Sequence, residues 1–393
     1  MQIYLDHAAS SPLRPEARDA WLEASLVVGN ASSIHGGGQS ARRILEDARE
    51  RVAATLDADP VEVVFTSGGT EAVNLAIKGL WTGRAAGRAT IVLPDGEHHA
   101  TLDSVAWLAE RGATVAAVPL TATGAVDVDR FAEALPDAAL ATALVANNEV
   151  GTVSDAARLA ALAADAGVPL HLDAVAAFGH LPVSFRAWRG SAPAAAGLAA
   201  LSVSAHKVGG PVGIGALVVA RSARLDAQVH GGEQQRGLRA GTQDVAAAAA
   251  FAVAAELAVA ERAEEAIRLG GLRERLLRGI LDRVPDIEPL GDPDERVPGN
   301  VHLLIPGARG ETLLFLLDQD GIAVSTGSAC QAGIPEPSHV VRALGRDDDA
   351  ARSVLRLTLG RTSSAADVDA VLAHLPDAVG RARAAGAAGA ARS

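Results

Sequence analysis

The stretch VEVVFTSGGTEAVNLAIKGL, residues 61–80, sets the reading of the whole chain. VEVVF (61–65) is a short run rich in β-branched residues and reads as a strand. A glycine turn follows, and TEAVNLAIKGL (70–80) has a helical pattern. Outward from it, TIVL (90–93), TVAAVP (114–119), LATALVA (140–146), PLHLD (169–173), ALSVS (200–204) and IGALVVA (214–220) read as further strands. Helical patterns separate most of them. The alternation predicts an α/β fold, a mostly parallel seven-stranded sheet with helices on both faces. Residues 242–283 read as one long helix or two and connect to a second unit. There VHLLI (301–305), a helix at 310–320, VLRLTL (354–359) and a last helix near 365–382 predict a smaller α+β domain. The final AAGAAGAARS is expected to be mobile.

Bulk composition narrows the function classes. The 393 residues suffice for two domains with substantial cores. Aromatics make up only 3%, so Ala, Val and Leu must build those cores. Lys and Arg (35) against Asp and Glu (47) leave a net charge of −12. Such a chain has no general attraction to nucleic acid or to an anionic membrane. The lone cysteine, Cys330, excludes an intrachain disulfide and any multi-cysteine zinc site. MQIYLDHAAS lacks the charged and apolar regions of a signal peptide. No uncharged apolar run of about 18 residues is present to span a membrane. The expected compartment is the cytoplasm, where a free thiol stays reduced.

Ligands of α/β sheets gather at the carboxyl ends of the strands, so the residues just after each strand carry the chemistry. After VEVVF, Gly68 and Gly69 let backbone approach a ligand, and Thr70 opens a helix whose free N–H groups suit a phosphate. Alone, this reads first as an ordinary glycine turn with a threonine cap. After ALSVS comes AHKVGG (205–210), where Lys207 is either a solvated loop lysine or a desolvated amine able to form a Schiff base. Asp173 ends PLHLD; a buried carboxylate must face a cation, either an arginine or a protonated pyridine nitrogen. His98 and His99 follow TIVLPDGE, as surface turn residues or as a plane against a ligand ring. Phosphate donors, a lysine, a carboxylate and a histidine at the ends of different strands are what pyridoxal phosphate requires. Cys330 lies in VSTGSACQAG (324–333), a polar glycine-containing loop rather than an apolar run.

These residues resemble the NifS/IscS-type cysteine desulfurases, pyridoxal phosphate enzymes of fold type I in the class-V aminotransferase family. The resemblance runs through YLDHAAS (4–10), GNASSIHGGG (29–38), FTSGGTEAVNLAIKG (65–79), EHHA (97–100), NNEVG (147–151), HLDA (171–174), SAHKVGGPVGIGAL (204–217), HGGEQQRGLRAGT (230–242), STGSAC (325–330), EPSHVVRALG (336–345) and RLTLGR (356–361). It covers nearly the whole chain in the family's order. It implies that Lys207 bonds to the cofactor, Asp173 pairs with the pyridine nitrogen and His98 stacks on the ring. Gly69, Thr70, Ser204 and His206 hold the phosphate, and Thr242 reaches the phosphate in the other subunit of a homodimer. Asn148 contacts cofactor and substrate, and Asn148 with Arg356 holds the substrate carboxylate. Cys330 is the nucleophile that takes sulfur from L-cysteine as a persulfide and leaves L-alanine. His98 is the candidate base, and no metal is implied. The implied division is 16–255 for a large cofactor-binding domain, 1–15 and 256–385 for a small domain carrying the Cys330 loop, and 386–393 for a mobile tail.

The chain departs from the family's pattern in places. Ala176 stands where the family usually has a glutamine that donates to the cofactor's phenolic oxygen; the Gln234–Gln235 segment or a water is the expected replacement. Gly209 stands in place of a tyrosine, and Glu233 and Gln235 in place of Gly and Glu. A selenocysteine lyase, or another lyase or aminotransferase of the same fold, is the alternative within the class. A non-catalytic sulfur-assembly partner is the alternative outside it. Compatible sulfur acceptors are an iron–sulfur scaffold, a tRNA-thiolation enzyme and DNA phosphorothioation machinery. GGGQSA (36–41) fits a dinucleotide fingerprint but follows no strand, so it is set aside.

Overall fold

The computed structural model describes residues 2–192, 195–327 and 336–390. Its strands are β1 (Ile3–Tyr4), β2 (Val63–Thr66), β3 (Thr90–Pro94), β4 (Thr114–Val118), β5 (Ala138–Leu144), β6 (Pro169–Asp173), β7 (Gly197–Ser204), β8 (Gly215–Val219), β9 (Glu288–Leu290), β10 (Asn300–Leu304), β11 (Ile322–Ala323) and β12 (Val354–Thr358). The central sheet has seven strands in the order β2-β8-β7-β6-β5-β3-β4. Only β8 runs against its neighbours. The carboxyl ends of β2, β3, β5, β6 and β7 therefore share one edge, as the alternating pattern predicts.

Both faces of the sheet are covered, so its central strands are apolar throughout rather than alternating. Every residue of β5 (AALATAL) and of β7 (GLAALSVS) is buried. Helices Gly69–Thr82 and His99–Ala109 bury Val73, Ile77, Val105 and Leu108 on one face. Helix Gly36–Thr55 and the first half of helix Val245–Leu281 pack on the other. Gly36 opens that first helix after a turn, in keeping with the rejection of GGGQSA as a dinucleotide loop.

Helix Val245–Leu281 is one unbroken element. At about 1.5 Å per residue it is long enough to reach both units. Most of its alanines up to Ala258 sit in the main core; Leu269, Leu276 and Ile280 sit in the second core. Gly270 and Gly271 do not interrupt it, because packing at both ends outweighs their poor propensity. The second core lies under the antiparallel sheet β12-β10-β9, with helices Gly310–Gln319 and Ala365–Ala390. Pairing of β1 with β11 brings the N-terminal residues onto this unit, where Leu5 is fully buried.

The boundaries differ from the sequence reading in three places. β2 begins at Val63 because Pro60–Glu62 forms a tight turn, closed by the Glu62 carboxylate accepting from Asp59 N at 3.0 Å. Strands β1, β9 and β11 are too short to carry a pattern. The last helix continues to Ala390 instead of stopping near 382, so the expected tail from 386 is helical over most of its length. Alanine is the strongest helix former, and Gly386 and Gly389 do not offset it.

Candidate active site

The shared edge gathers the residues that follow the strands. A cleft with about 680 Å³ of empty space is lined by Gly69, Thr70, His98, Asn148, Asp173, Ala176, His206 and Lys207. They come from the ends of five strands, β2, β3, β5, β6 and β7, or from the turns beyond them, and the long sequence separations close only because those strands are parallel.

At one end, helix Gly69–Thr82 starts after Gly68, whose φ of 148° suits glycine and whose lack of a side chain leaves the helix uncapped. Glu71 in its first turn is neutralised by Arg239 at 2.9 Å, so the positive end of the helix is not cancelled. Ser204 Oγ is buried beside this turn without a hydrogen-bond partner among the described residues. A Cβ built on Gly69 would lie 3.5 Å from Ser204 Cβ and 2.8 Å from Val175 Cγ2. The helix end thus opens on the cleft, and any side chain at position 69 would press on Val175 beside the unsatisfied hydroxyl. This fits a phosphate.

In the middle, Asp173 is 3% exposed and accepts from Val175 N at 2.9 Å. Burial pushes its carboxyl up to about 6, against the hydrogen bonds from Val175 and Ser202 and the charge of Lys207. A cationic ring nitrogen opposite it would restore full ionisation. Burial, together with Arg356, lowers the Lys207 ammonium to about 8, so much of it is neutral in mildly basic solution. Its Nζ is held by the carbonyls of Ala8 and Ala9. His98 caps helix His99–Ala109, with Nδ1 accepting from Ala100 N at 3.1 Å. Burial and Lys207 lower its pKa to about 4, so the ring is neutral. With Nδ1 accepting, the hydrogen sits on Nε2, and the ring offers a proton before it can take one. Burial likewise keeps His206 neutral, near 4. Lysine, carboxylate, uncapped helix and planar histidine together fit pyridoxal phosphate.

At the other end, Arg356 on β12 donates to Asn148 O at 2.6 Å and to Asp6 at 2.8 Å, and its Nε has no partner among the described residues. A guanidinium pinned on two sides, with its buried Nε–H unpartnered among the described residues, is suited to a substrate carboxylate.

The structure brings Lys207, Asp173, His98, Gly69, Thr70, Ser204, His206, Asn148 and Arg356 to this edge. Thr242 is exposed in the loop before helix Val245–Leu281 and does not line the cleft of its own chain. Cys330 lies outside the described residues. The expected use of Gln234–Gln235 near Ala176 is corrected. Gln235 Oε1 accepts from Arg49 Nη1 (2.7 Å) and Phe65 N (3.1 Å), and its Nε2 donates to Gln243. Gln234 accepts from Gly241 N. Both side chains line a different cleft, with Arg49 and Val63, and neither lines the one that contains Ala176. Asp6 and the Ala8 and Ala9 carbonyls were not singled out by sequence reasoning, although YLDHAAS contains them; no local pattern says that they meet Arg356 and Lys207.

Residues 3–371 match the family described as aminotransferase class-V. The chain belongs to that family, in its branch of NifS/IscS-type cysteine desulfurases. It is 48% identical to an IscS-like cysteine desulfurase of Mycobacterium tuberculosis, over 99% of this chain and 100% of the relative. It is 40% identical to a cysteine desulfurase of Gluconacetobacter diazotrophicus, over 97% and 94%. A solved NifS-like protein superposes with a TM-score of 0.88 at 29% identity, covering 96% of this chain and 99% of the other. The seven-stranded, mostly parallel sheet is thus that of the family's pyridoxal phosphate enzymes.

Gly69→Val is expected to fill the phosphate end and raise the dissociation constant for pyridoxal phosphate about tenfold or more. Equilibrium dialysis of the apoprotein measures it; an unchanged constant would show that the cofactor does not use this cradle.

Proposed function

We propose that this protein is a cysteine desulfurase that binds pyridoxal phosphate through Lys207 and transfers the sulfur of L-cysteine to Cys330. The observation that carries the reading is one cleft holding a low-pKa lysine, a buried carboxylate and an uncapped helix end, in a chain of the cysteine desulfurase family. Gly69, Thr70, Ser204 and His206 would hold the phosphate, Asp173 the ring nitrogen and His98 the ring face. When bound, the cofactor supplies an electron sink for the substrate's α-carbon.

The chain's own residues do the rest. Lys207 in its neutral form makes the covalent attachment and afterwards moves a proton at its Nζ. Arg356, pinned by Asp6 and Asn148, orients the substrate carboxylate and so its thiol. His98 gives the proton on Nε2 to a developing anion. Cys330, as thiolate, attacks the substrate sulfur; the new S–S bond forms as the C–S bond breaks, and the carbon skeleton leaves as alanine after protonation. The thiol ordinarily ionises near pH 8.5, so the thiolate fraction rises with pH over the range where Lys207 loses its proton. The persulfide then passes to a protein acceptor. An iron–sulfur scaffold or a tRNA-thiolation enzyme suits the relatives named IscS.

The protein is proposed to work as a homodimer, with Thr242 contacting the phosphate in the other subunit. Its exposure supports this, as do the exposed Leu26 and Val28 beyond Ala24, which packs on Ala246 and Ala249 at the same end of the long helix. Sedimentation should give a dimer; an active monomer would remove this part of the proposal.

The rate at which apoprotein takes up pyridoxal phosphate should rise with pH and level off above about 8, as Lys207 becomes neutral. Lys207→Ala should give no hydroxylamine-sensitive yellow species. A flat profile, or a yellow Lys207→Ala protein, would contradict the assignment. Cys330→Ser should keep the colour and lose sulfide release by at least about a hundredfold. Full alanine production by that variant would instead favour a lyase that needs no protein thiol.

A further inference from the structure

Asn148 faces the cleft; Glu149, its neighbour in the turn after β5, serves a different purpose. Glu149 is 1% exposed and its backbone is fixed from both units. Its N–H donates to Asn147 Oδ1 at 2.9 Å, and its carbonyl contacts Asn300 Nδ2 and His302 Nδ1, each at 3.0 Å, on β10. Its carboxylate meets the chain on either side of residues 328–335. Ser338 Oγ donates to Oε2 at 2.5 Å. At Gly327, where φ is +89°, a Cβ would lie 3.1 Å from the same Oε2 and 2.9 Å from His302 Cε1. Both flanks of the segment that contains Cys330 thus converge on one oxygen.

The downstream flank is anchored further. Ser338 is fully buried, caps helix His339–Ala343 by accepting from Val341 N, and donates its N–H to Ala351 O. His339 Nε2 lies 2.8 Å from Glu97 O, beside His98. A carboxylate this deeply buried is costly unless its partners are held in place. Here Ser338 supplies the hydrogen bond from one end of the short segment, and Gly327 at the other end packs against the same oxygen.

We propose that Glu149 is a positioning residue for the chemistry of Cys330. Its carboxylate sets the separation of Gly327 and Ser338, and so the span that residues 328–335 must bridge. Fixing the ends of a short segment limits where its thiol can go and raises its effective concentration at the substrate. The inference rests on the proposed role of Cys330, but it can fail separately. The Glu149 side chain does not line the cofactor cleft, and Arg356 acts on it through charge, without a hydrogen bond, so its loss acts on the thiol and not on cofactor binding.

Because Cys330 is the only cysteine, its alkylation rate by iodoacetamide reports on this segment without turnover. In the holoenzyme, Glu149→Ala should keep the visible band, lower kcat about tenfold and leave KM within about threefold. Its alkylation rate should shift at least about threefold. Glu149→Gln keeps an oxygen to accept from Ser338 and should restore both values to within about threefold of wild type. Should Glu149→Ala not fold, Ser338→Ala is expected to reproduce the same pattern. Wild-type alkylation and kcat in whichever of the two folds, or a glutamine variant as impaired as the alanine one, would overturn the proposal. Activity that survives Cys330→Ser would instead overturn the function on which it rests, and the alkylation result would still stand or fall alone.

Discussion

The arrangement depends on the cost of keeping an ammonium and a carboxylate out of water in one cleft. Lys207 and Asp173 belong to the carboxyl ends of adjacent parallel strands, and burial pushes their pKa values toward each other, to about 8 and about 6. Among the described residues neither has a fixed side-chain counterion of its own. Lys207 Nζ is held by backbone carbonyls, and Asp173 by a backbone N–H and the Ser202 hydroxyl. Such a pair is a poor device for stability. It is a good one for receiving a ligand that brings an aldehyde to the amine and a cationic nitrogen to the carboxylate.

The fold bears that cost through an unusually small-residue core. Ala-rich β5 and β7 and the alanines of helix Val245–Leu281 allow close packing on both faces of the sheet. The same helix continues into the second core, so the unit carrying Arg356 is tied to the unit carrying Lys207. Arg356 reaches across to Asn148 and Asp6. The surroundings of Arg356 are therefore built from three distant parts of the chain, and their relative placement is held by one continuous element.

Much of this was legible because strand ends are local. Gly69, His98, Asp173 and Lys207 each follow an apolar run, and the alternation of runs and helices predicts that they share an edge. What was not legible is contact between segments without a pattern. Asp6 meets Arg356 from 350 positions away. β1 and β11 are two residues each. Gln235 carries the right chemistry to donate near Ala176, yet its Nε2 donates to Gln243 and its oxygen accepts from Arg49 and Phe65. The role of Glu149 was hidden for the same reason, since NNEVG gives no sign that Ser338 and Gly327 close upon it.

The most direct measurement is a single turnover of holoenzyme with one equivalent of L-cysteine, analysed by peptide mass spectrometry and amino-acid analysis. The account predicts one added sulfur atom on the peptide containing Cys330, removable by a thiol reductant, and alanine in equal amount. Alanine formed with no sulfur on that peptide, or pyruvate and sulfide in place of alanine, would contradict it.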